Sequence, residues 1–203
     1  MPSARLALLA ASAAALLAPA SLDAALACAC CANMGQRNIG TVPLDDYKRS
    51  EIDRLRFATT AILFVPGETD ERDIKGITKP SLGYELNAAW HSDRLVFAFR
   101  ASEGQSGTLS LARPRMISLF EVDPRDVPGT VLYKEWTLTA RAAGSGVFSV
   151  GLGPGQTLSL ILHGRGLNCT SIDEFKHWTL VMRGPKANYS LLGDLEQPSP
   201  LPD

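Results

Sequence analysis

The chain has 203 residues, 45% of them hydrophobic, and 20 lysine or arginine residues against 21 aspartate or glutamate residues give a net charge of −1. This near-neutral balance supplies no electrostatic attraction for nucleic acid or for an anionic membrane surface, so neither is expected as a partner. The length fits one domain with a sizeable core.

The first 27 residues have the organisation of a secretory signal peptide. Arg5 is the short positive region, residues 6–17 are an apolar run, and Ala25-Leu26-Ala27 is the small-x-small pattern that signal peptidase reads. The apolar run is shorter than the ~20 residues needed to cross a bilayer. We therefore expect cleavage after residue 27, a periplasmic or secreted location, and no transmembrane segment.

A lipid anchor on Cys28 is the alternative outcome of the same cleavage. A lipoprotein signal usually has leucine three positions before the cysteine and a small residue two positions before it. Ala25 and Leu26 occupy these positions in the opposite order. The sequence therefore favours an unanchored mature chain over a lipid-anchored one.

Residues 28–55 form an irregular, cysteine-rich N-terminal segment in this interpretation. Asparagine, glycine and proline recur through residues 33–43, which is typical of turns. Leu44–Leu55 has a partial apolar face and predicts a short helix, with Asp45 or Asp46 as its N-cap. We expect no other regular structure in this segment.

Residues 56–195 alternate short β-forming runs with turn signals. Alternation places the apolar side chains of a run on one side, as in Leu158, Leu160 and Leu162. The pattern predicts an all-β domain, an antiparallel β-sandwich of about nine or ten short strands, with a closed β-barrel as the alternative. The proline-rich tail, residues 196–203, is expected to be disordered. The predicted strands cover residues 57–65, 84–90, 95–99, 108–112, 116–122, 131–140, 147–150, 157–163, 178–182 and 189–192.

The four cysteines permit a disulfide framework. Cys28, Cys30 and Cys31 lie together at the start of the mature chain, and Cys169 lies far downstream. An exported chain enters an oxidising compartment, in which disulfides persist. A bond between the adjacent Cys30 and Cys31 would be strained, so the favoured pairings are 28–31 with 30–169, or 28–30 with 31–169. Either one would tie the N-terminal segment to the loop around Cys169.

A soft-metal site is the sharper hypothesis for the same cysteines. Three thiols in the pattern Cys-x-Cys-Cys can surround one ion, and thiolates select Cu(I) or Zn(II) over hard cations. The pattern lacks the paired Cys-x-x-Cys motifs of a zinc ribbon, so it would be a copper or zinc site of another kind. The candidate ligands are Cys28, Cys30, Cys31, Cys169, His163 and His177.

Thiol–disulfide redox chemistry is a third interpretation. Cys28 and Cys31 have the Cys-x-x-Cys spacing that redox motifs use. Such motifs usually follow a strand and open a helix, and no strand is predicted before Cys28. The spacing alone is therefore a weak indication of redox activity.

Cys169 is also a candidate nucleophile. If the strands that carry His163 and His177 pair, either imidazole can approach Cys169 as a general base, with Asp173 or Glu174 as a third member. The simpler interpretation is a polar loop that contains a structural cysteine. The sequence favours the simpler one.

The sequence thus indicates an exported cell-envelope β-domain with a binding or structural role. The specific binding role that we consider is the binding of a soft metal ion by the cysteine cluster. The partner would be an envelope protein or a small ligand. A non-enzymatic role is favoured because the chain has neither a Gly-x-Ser-x-Gly nucleophile elbow nor a phosphate-binding loop. The alternative is a hydrolase or thiol enzyme that uses Cys169 with His163 or His177.

Overall fold

A computed structural model describes residues 37–64, 74–91, 93–122, 132–166 and 171–198 of the chain. Within these ranges there is one α-helix, α1 (Asp46–Asp53), and 3₁₀ turns occur at residues 149–151 and 172–174. None of the helices in these ranges is both long and apolar enough to cross a membrane. The strands are β1 (Arg37–Pro43), β2 (Thr60–Phe64), β3 (Gly83–His91), β4 (Arg94–Arg100), β5 (Ser106–Ala112), β6 (Met116–Val122), β7 (Leu132–Arg141), β8 (Ala143–Gly146), β9 (Thr157–Gly166), β10 (Phe175–Arg183) and β11 (Tyr189–Asp194).

The eleven described strands belong to one antiparallel sheet. Its order is β1-β6-β7-β9-β10-β11-β2-β3-β4-β5-β8, and each pair of neighbours is antiparallel. The prediction of an all-β antiparallel fold is confirmed, although there are eleven strands instead of nine or ten. The closed-barrel alternative is wrong for the described residues, because β1 and β8 lie at two open edges.

The sheet bends over its own apolar face, and nearly all of the described buried hydrophobic residues form one cluster. Phe97 of β4 and Trp178 of β10 have ring centroids 5.9 Å apart, although three strands separate β4 from β10 in the sheet. Phe57, which precedes β2, joins them, with its centroid 5.3 Å from that of Phe97 and 5.9 Å from that of Trp178. Burial of one such side chain contributes about 1.5–3 kcal/mol. Burial of the inner face therefore stabilises the bend.

The predicted alternation holds in the central strands. β9 buries Leu158, Leu160 and Leu162, and the residues between them remain partly exposed. This is the expected result of a period of two when one face of a sheet meets a core and the other meets solvent. The outer face is therefore free to carry side chains that serve a purpose other than packing.

β1 departs from the sequence prediction, which treats residues 33–43 as irregular. It carries Gly40 and Pro43, both poor strand formers, yet it pairs with β6 along its whole length. Proline, which lacks a main-chain N–H, is tolerated because β1 is an edge strand and one of its sides makes no hydrogen bonds to a neighbouring strand. The sheet thus already includes Arg37, inside the segment that was expected to be irregular.

β8 is a second departure, since no predicted strand covers residues 143–146 and a strand is predicted at residues 147–150 instead. The structure has a strand at residues 143–146, which is β8, and residues 149–151 form a 3₁₀ turn. β8 approaches β5 so closely that a Cβ atom on Gly144 would lie 2.1 Å from the carbonyl oxygen of Thr108. Glycine therefore marks a close contact between strands here instead of a turn.

α1 confirms the predicted helix within Leu44–Leu55. Asp45 is its N-cap, and the side chain of Asp45 accepts a hydrogen bond from the main-chain N–H of Lys48 at 2.8 Å. Ile52 is buried in the core, and the indole N–H of Trp90 donates to the Ile52 carbonyl oxygen at 3.2 Å. The helix is therefore fixed to β3 by both packing and a hydrogen bond.

Candidate functional site

Two of the six candidate ligands, His163 and His177, lie within the described residues. The signal peptide and the other four candidates, Cys28, Cys30, Cys31 and Cys169, lie outside them. The disulfide, soft-metal, redox and lipid-anchor hypotheses for the cysteines therefore stay predictions. The histidine pair is the part of the candidate site whose geometry is described.

His163 and His177 face each other across the β9–β10 pair. They are directly paired in the ladder, and their ring centroids are 5.6 Å apart with the ring planes inclined at 39°. Directly opposed residues of antiparallel strands have Cβ atoms ~4.5–5.5 Å apart. The two imidazoles are therefore close enough to contact the same ligand.

A β-bulge in β10 directs His177 outward. The register of the ladder shifts between Phe175 and His177. Phe175 and Trp178 are both buried, whereas His177 is exposed. Strict alternation from Phe175 would bury His177, because residues two apart share a face. The extra residue in the bulge shifts the alternation of inner and outer side chains by one residue, and the imidazole of His177 therefore lies on the outer face.

Asp194 of β11 holds His177 from the opposite side. Its Oδ1 lies 2.6 Å from Nδ1 of His177, and because a carboxylate only accepts, Nδ1 is the donor, which leaves Nε2 with the lone pair in the neutral ring. The carbonyl oxygen of Asp194 in turn accepts a hydrogen bond from the indole N–H of Trp178 at 3.1 Å. The His177 and Asp194 side chains are 58% and 72% exposed, so their contact orients the ring and adds little stability.

The histidine pair belongs to a row of side chains that crosses six strands of the outer face. Two carboxylates flank the imidazoles in this row, with Glu135 beside His163 and Asp194 beside His177. Burial of the ring and the nearby His177 lower the pKa of His163, and Glu135 opposes this change. The net effect favours the neutral form of the His163 ring. The row consists of Ile39, Phe120, Glu135, His163, His177 and Asp194.

A shallow groove of about 240 Å³ lies beside the histidine pair. His163, His177 and Asp194 contribute polar surface to it, and Ile62 and Leu192 contribute apolar surface. Ile62 is 62% exposed. The groove therefore combines imidazole, carboxylate and aliphatic surface, which is the combination expected of a site for a small ligand.

A buried ion network lies on the inner face where β6 and β7 pair. Lys134 is 1% exposed, and its Nζ donates to Oε2 of Glu174 at 2.6 Å and to the carbonyl oxygen of Ser171 at 2.9 Å. Glu121, which is 8% exposed, is paired directly with Lys134 in the β6–β7 ladder. Opposite charges are needed here because an isolated ion in the interior costs several kcal/mol.

A second set of charges attaches α1 to the segment before β10. Oε1 of the buried Glu51 lies 2.7 Å from Nη1 of Arg54, and Oε2 accepts the main-chain N–H of Ile172 at 3.1 Å. Nη2 of Arg54 lies 2.8 Å from Oδ1 of Asp173. The carboxylates of Glu51 and Asp173 therefore join α1 to the 3₁₀ turn at residues 172–174.

These contacts give Asp173 and Glu174 a structural role in the ion networks. The sequence analysis considers them as third members of a nucleophilic group with the histidines, but each pairs with a cation of the ion networks instead. Among the described residues, the carboxylate that is hydrogen-bonded to an imidazole is that of Asp194. Sequence reasoning does not single out Asp194 or Glu135, because alternation alone indicates their face and the register of the strands decides which residues they meet.

Glu121 is expected to make the stability decline as the pH rises from acid toward neutrality. Burial raises the pKa of Glu121 above its ordinary value of 4.5, and the charge of Lys134 opposes this only in part. The folded chain therefore holds this proton more tightly than the unfolded chain. The stabilisation is complete below the unfolded pKa and is lost as the pH rises through the folded pKa.

Thermal unfolding followed by circular dichroism from about pH 4 to pH 7 measures this effect, because the window starts near the ordinary carboxyl pKa and extends upward, in the direction of the shift. We expect Glu121→Gln to flatten the decline of Tm with pH relative to the natural chain. Glu103→Gln is the control, since Glu103 is exposed in the turn before β5. Equal slopes for the natural chain and Glu121→Gln would contradict the prediction.

Neither a multi-ligand metal centre nor a known relative identifies the site. Within the described ranges, no group of three or more histidine, cysteine, aspartate or glutamate side chains is arranged to hold one metal ion. No protein-family model, curated protein or solved structure matches the chain. The function is therefore argued from the chemistry of the site and the topology of the sheet.

Proposed function

We propose that the chain is an exported β-domain of the cell envelope with a binding role, and that its cysteine cluster binds copper or zinc. The metal proposal depends on one observation: the first residue of β1 lies at the same end of the sheet as the last residues of β9. Arg37, Val122, Tyr133 and Arg165 occupy one row across β1, β6, β7 and β9. β1 therefore begins at the end of the sheet where β9 finishes, so the chain that carries Cys28, Cys30 and Cys31 and the connection that carries Cys169 attach at the same end.

The reach of the chain supports a shared site. Strands lie about 4.8 Å apart, so Arg37 and Arg165 are separated by three spacings, roughly 14 Å. Cys31 precedes Arg37 by six residues and Cys169 follows Arg165 by four. Extended chains of these lengths span up to ~20 Å and ~13 Å. The N-terminal thiols are therefore within reach of Cys169, as either a metal site or the predicted disulfides require.

The outer face supports a binding role independently of the cysteines. In this proposal the bent sheet works as a β-sandwich, whose inner faces form the core and whose outer faces present ligand sites. The groove beside His163 and His177 is such a site, because polar and apolar side chains line it together. Imidazole is also a ligand that suits copper and zinc.

Native mass spectrometry of the full chain from the exporting compartment tests the metal proposal. We expect a chain that begins at Cys28, retains copper or zinc, and becomes alkylated at its thiols only after a chelator removes the ion. Cys31→Ser should reduce metal retention, whereas Ser171→Ala, which leaves the thiols intact, should not. A mass short of the hydrogens of four thiols, with no cysteine labelled, would mean two disulfides and would overturn the metal proposal.

A thiol enzyme is the second candidate, because His177 is oriented as a general base would be. Asp194 holds its Nδ1 at 2.6 Å, and Nε2 is the nitrogen that would take a proton from Cys169. In that case iodoacetamide should label Cys169 rapidly near pH 6 in the natural chain and slowly in His177→Ala. Equal, slow labelling in both would exclude this candidate.

A further inference from the structure

The exposed histidine pair is a cluster that the cysteine site does not require. His163 and His177 are opposed on the outer face, and Asp194 contacts one of them. We propose that the two imidazoles form a separate site for a divalent transition-metal ion, Cu(II), Zn(II) or Ni(II), which binds whether or not the cysteines are available. The proposal therefore goes beyond the cysteine site and does not depend on it.

Each ring has one nitrogen in a hydrogen bond and one available as a ligand. Nδ1 of His177 donates to Asp194, and Nε2 of His163 lies 3.3 Å from Oγ1 of Thr179. Among the described residues, Nε2 of His177 and Nδ1 of His163 make no hydrogen bond. A carboxylate behind a metal-binding imidazole fixes its tautomer and raises its basicity, which is the part that Asp194 would play.

The spacing of the rings fits a shared ion. Two imidazole nitrogens bound to one tetrahedral ion at ~2.0–2.1 Å lie roughly 3.4 Å apart, and each lies about 1.1 Å from its ring centroid. Because the ion lies on the axis from each ring centroid through its nitrogen, these lengths place the two ring centroids roughly 5.2 Å apart. The centroids of His163 and His177 are 5.6 Å apart. The direct pairing of the two residues in the ladder thus brings the rings close to the separation that chelation needs, so that a small rotation of the side chains would complete it.

The charges of the row favour a cation. Glu135 and Asp194 lie on either side of the two imidazoles. Imidazole nitrogen suits Cu(II), Zn(II) and Ni(II), whereas the thiolates of the cysteine cluster select Cu(I) or Zn(II), so Cu(II) and Ni(II) distinguish the two sites.

The ion would keep open coordination positions. No third histidine, cysteine, aspartate or glutamate of the described residues is arranged to join the pair around one ion. The groove beside the pair is lined by Ile62 and Leu192, which supply no metal ligand. Water or a small exogenous ligand would therefore complete the coordination, as in metal sites that are not closed by protein.

Titration of Cu(II) into the full exported chain tests this site, with all thiols alkylated beforehand. We expect one ion per chain by calorimetry, with nitrogen coupling from imidazole in the electron paramagnetic resonance spectrum. Asp194→Asn should weaken the affinity by ~10-fold, and His163→Ala and His177→Ala should each weaken it further. His91→Ala is the matched control, because His91 is the remaining histidine and ends β3.

The outcomes separate this site from the cysteine site. Unchanged Cu(II) affinity in both histidine variants, or no binding by the alkylated natural chain, would overturn the histidine proposal. Metal retention that alkylation abolishes and the histidine variants preserve would support the cysteine site alone. Circular dichroism confirms folding of each variant, and Asp194→Asn removes a largely exposed contact, so its effect on affinity reports on the ring of His177.

Discussion

Lys134→Met is expected to lower the free energy of unfolding by about 3–5 kcal/mol, the usual cost of removing one partner of a buried ion pair. Lys134 is buried, and its Nζ contacts Oε2 of Glu174 at 2.6 Å and the carbonyl oxygen of Ser171 at 2.9 Å. Its charge also opposes the rise in the pKa of the buried Glu121. The variant takes away the ammonium group that compensates these carboxylates. Urea denaturation at neutral pH measures the loss.

A second variant and a control distinguish charge from packing. Lys134→Met combined with Glu121→Gln should recover part of the loss, because it also removes one of the two carboxylates that the ammonium group compensates, while Glu174 stays. Lys176→Met is the control, since Lys176 is exposed on β10, and it should change the stability by less than ~0.5 kcal/mol. A loss below ~1 kcal/mol for Lys134→Met would contradict a buried ammonium at this position.

Trp178→Ala is expected to cost about 3–5 kcal/mol, because it leaves a cavity in the middle of the core. Trp178 is buried, and its ring centroid lies 5.9 Å from those of both Phe57 and Phe97. Gly193 packs against the same ring, so closely that a Cβ atom there would lie 2.6 Å from Cζ2 of Trp178. The neighbouring side chains come from separate parts of the bent sheet, so they cannot easily close the cavity. Thermal and urea unfolding measure the effect.

Phenylalanine variants separate the hydrogen bond from the volume. Trp178 donates its indole N–H to the carbonyl oxygen of Asp194 at 3.1 Å, whereas the buried indole N–H of Trp136 has no partner among the described residues. Trp178→Phe should therefore cost about 1 kcal/mol more than Trp136→Phe, the usual contribution of one hydrogen bond. An equal or larger cost for Trp136→Phe would contradict this account.

The strands that the sequence predicted best are those whose pattern is local. Residues 116–122 form β6 with the predicted bounds, and the leucines of β9 lie on one face as their alternation indicates. A run of β-forming residues with a period of two needs no knowledge of its neighbours. β1 and β8 were missed because their glycines and Pro43 become compatible with a strand only beside a particular partner.

The candidate site was predictable only in part. Alternation puts Glu135 and Asp194 on the outer face, but the pairing of four strands, β7, β9, β10 and β11, brings them into line with the histidines. The direction of His177 depends on the bulge in β10, which strict alternation from Phe175 does not predict. The site thus depends on register, which is set by contacts between segments far apart in the sequence.

An all-β chain with a short helix near the start of the domain can be predicted from the amino-acid sequence, because periodicity and helix capping act between neighbouring residues. The single open sheet, the buried ion network of Lys134 and the meeting of His163, His177 and Asp194 on the outer face follow from the three-dimensional fold. Burial and strand register depend on the whole sheet, so no local pattern contains them. A residue type indicates what chemistry is available, and the fold decides which groups are close enough to use it.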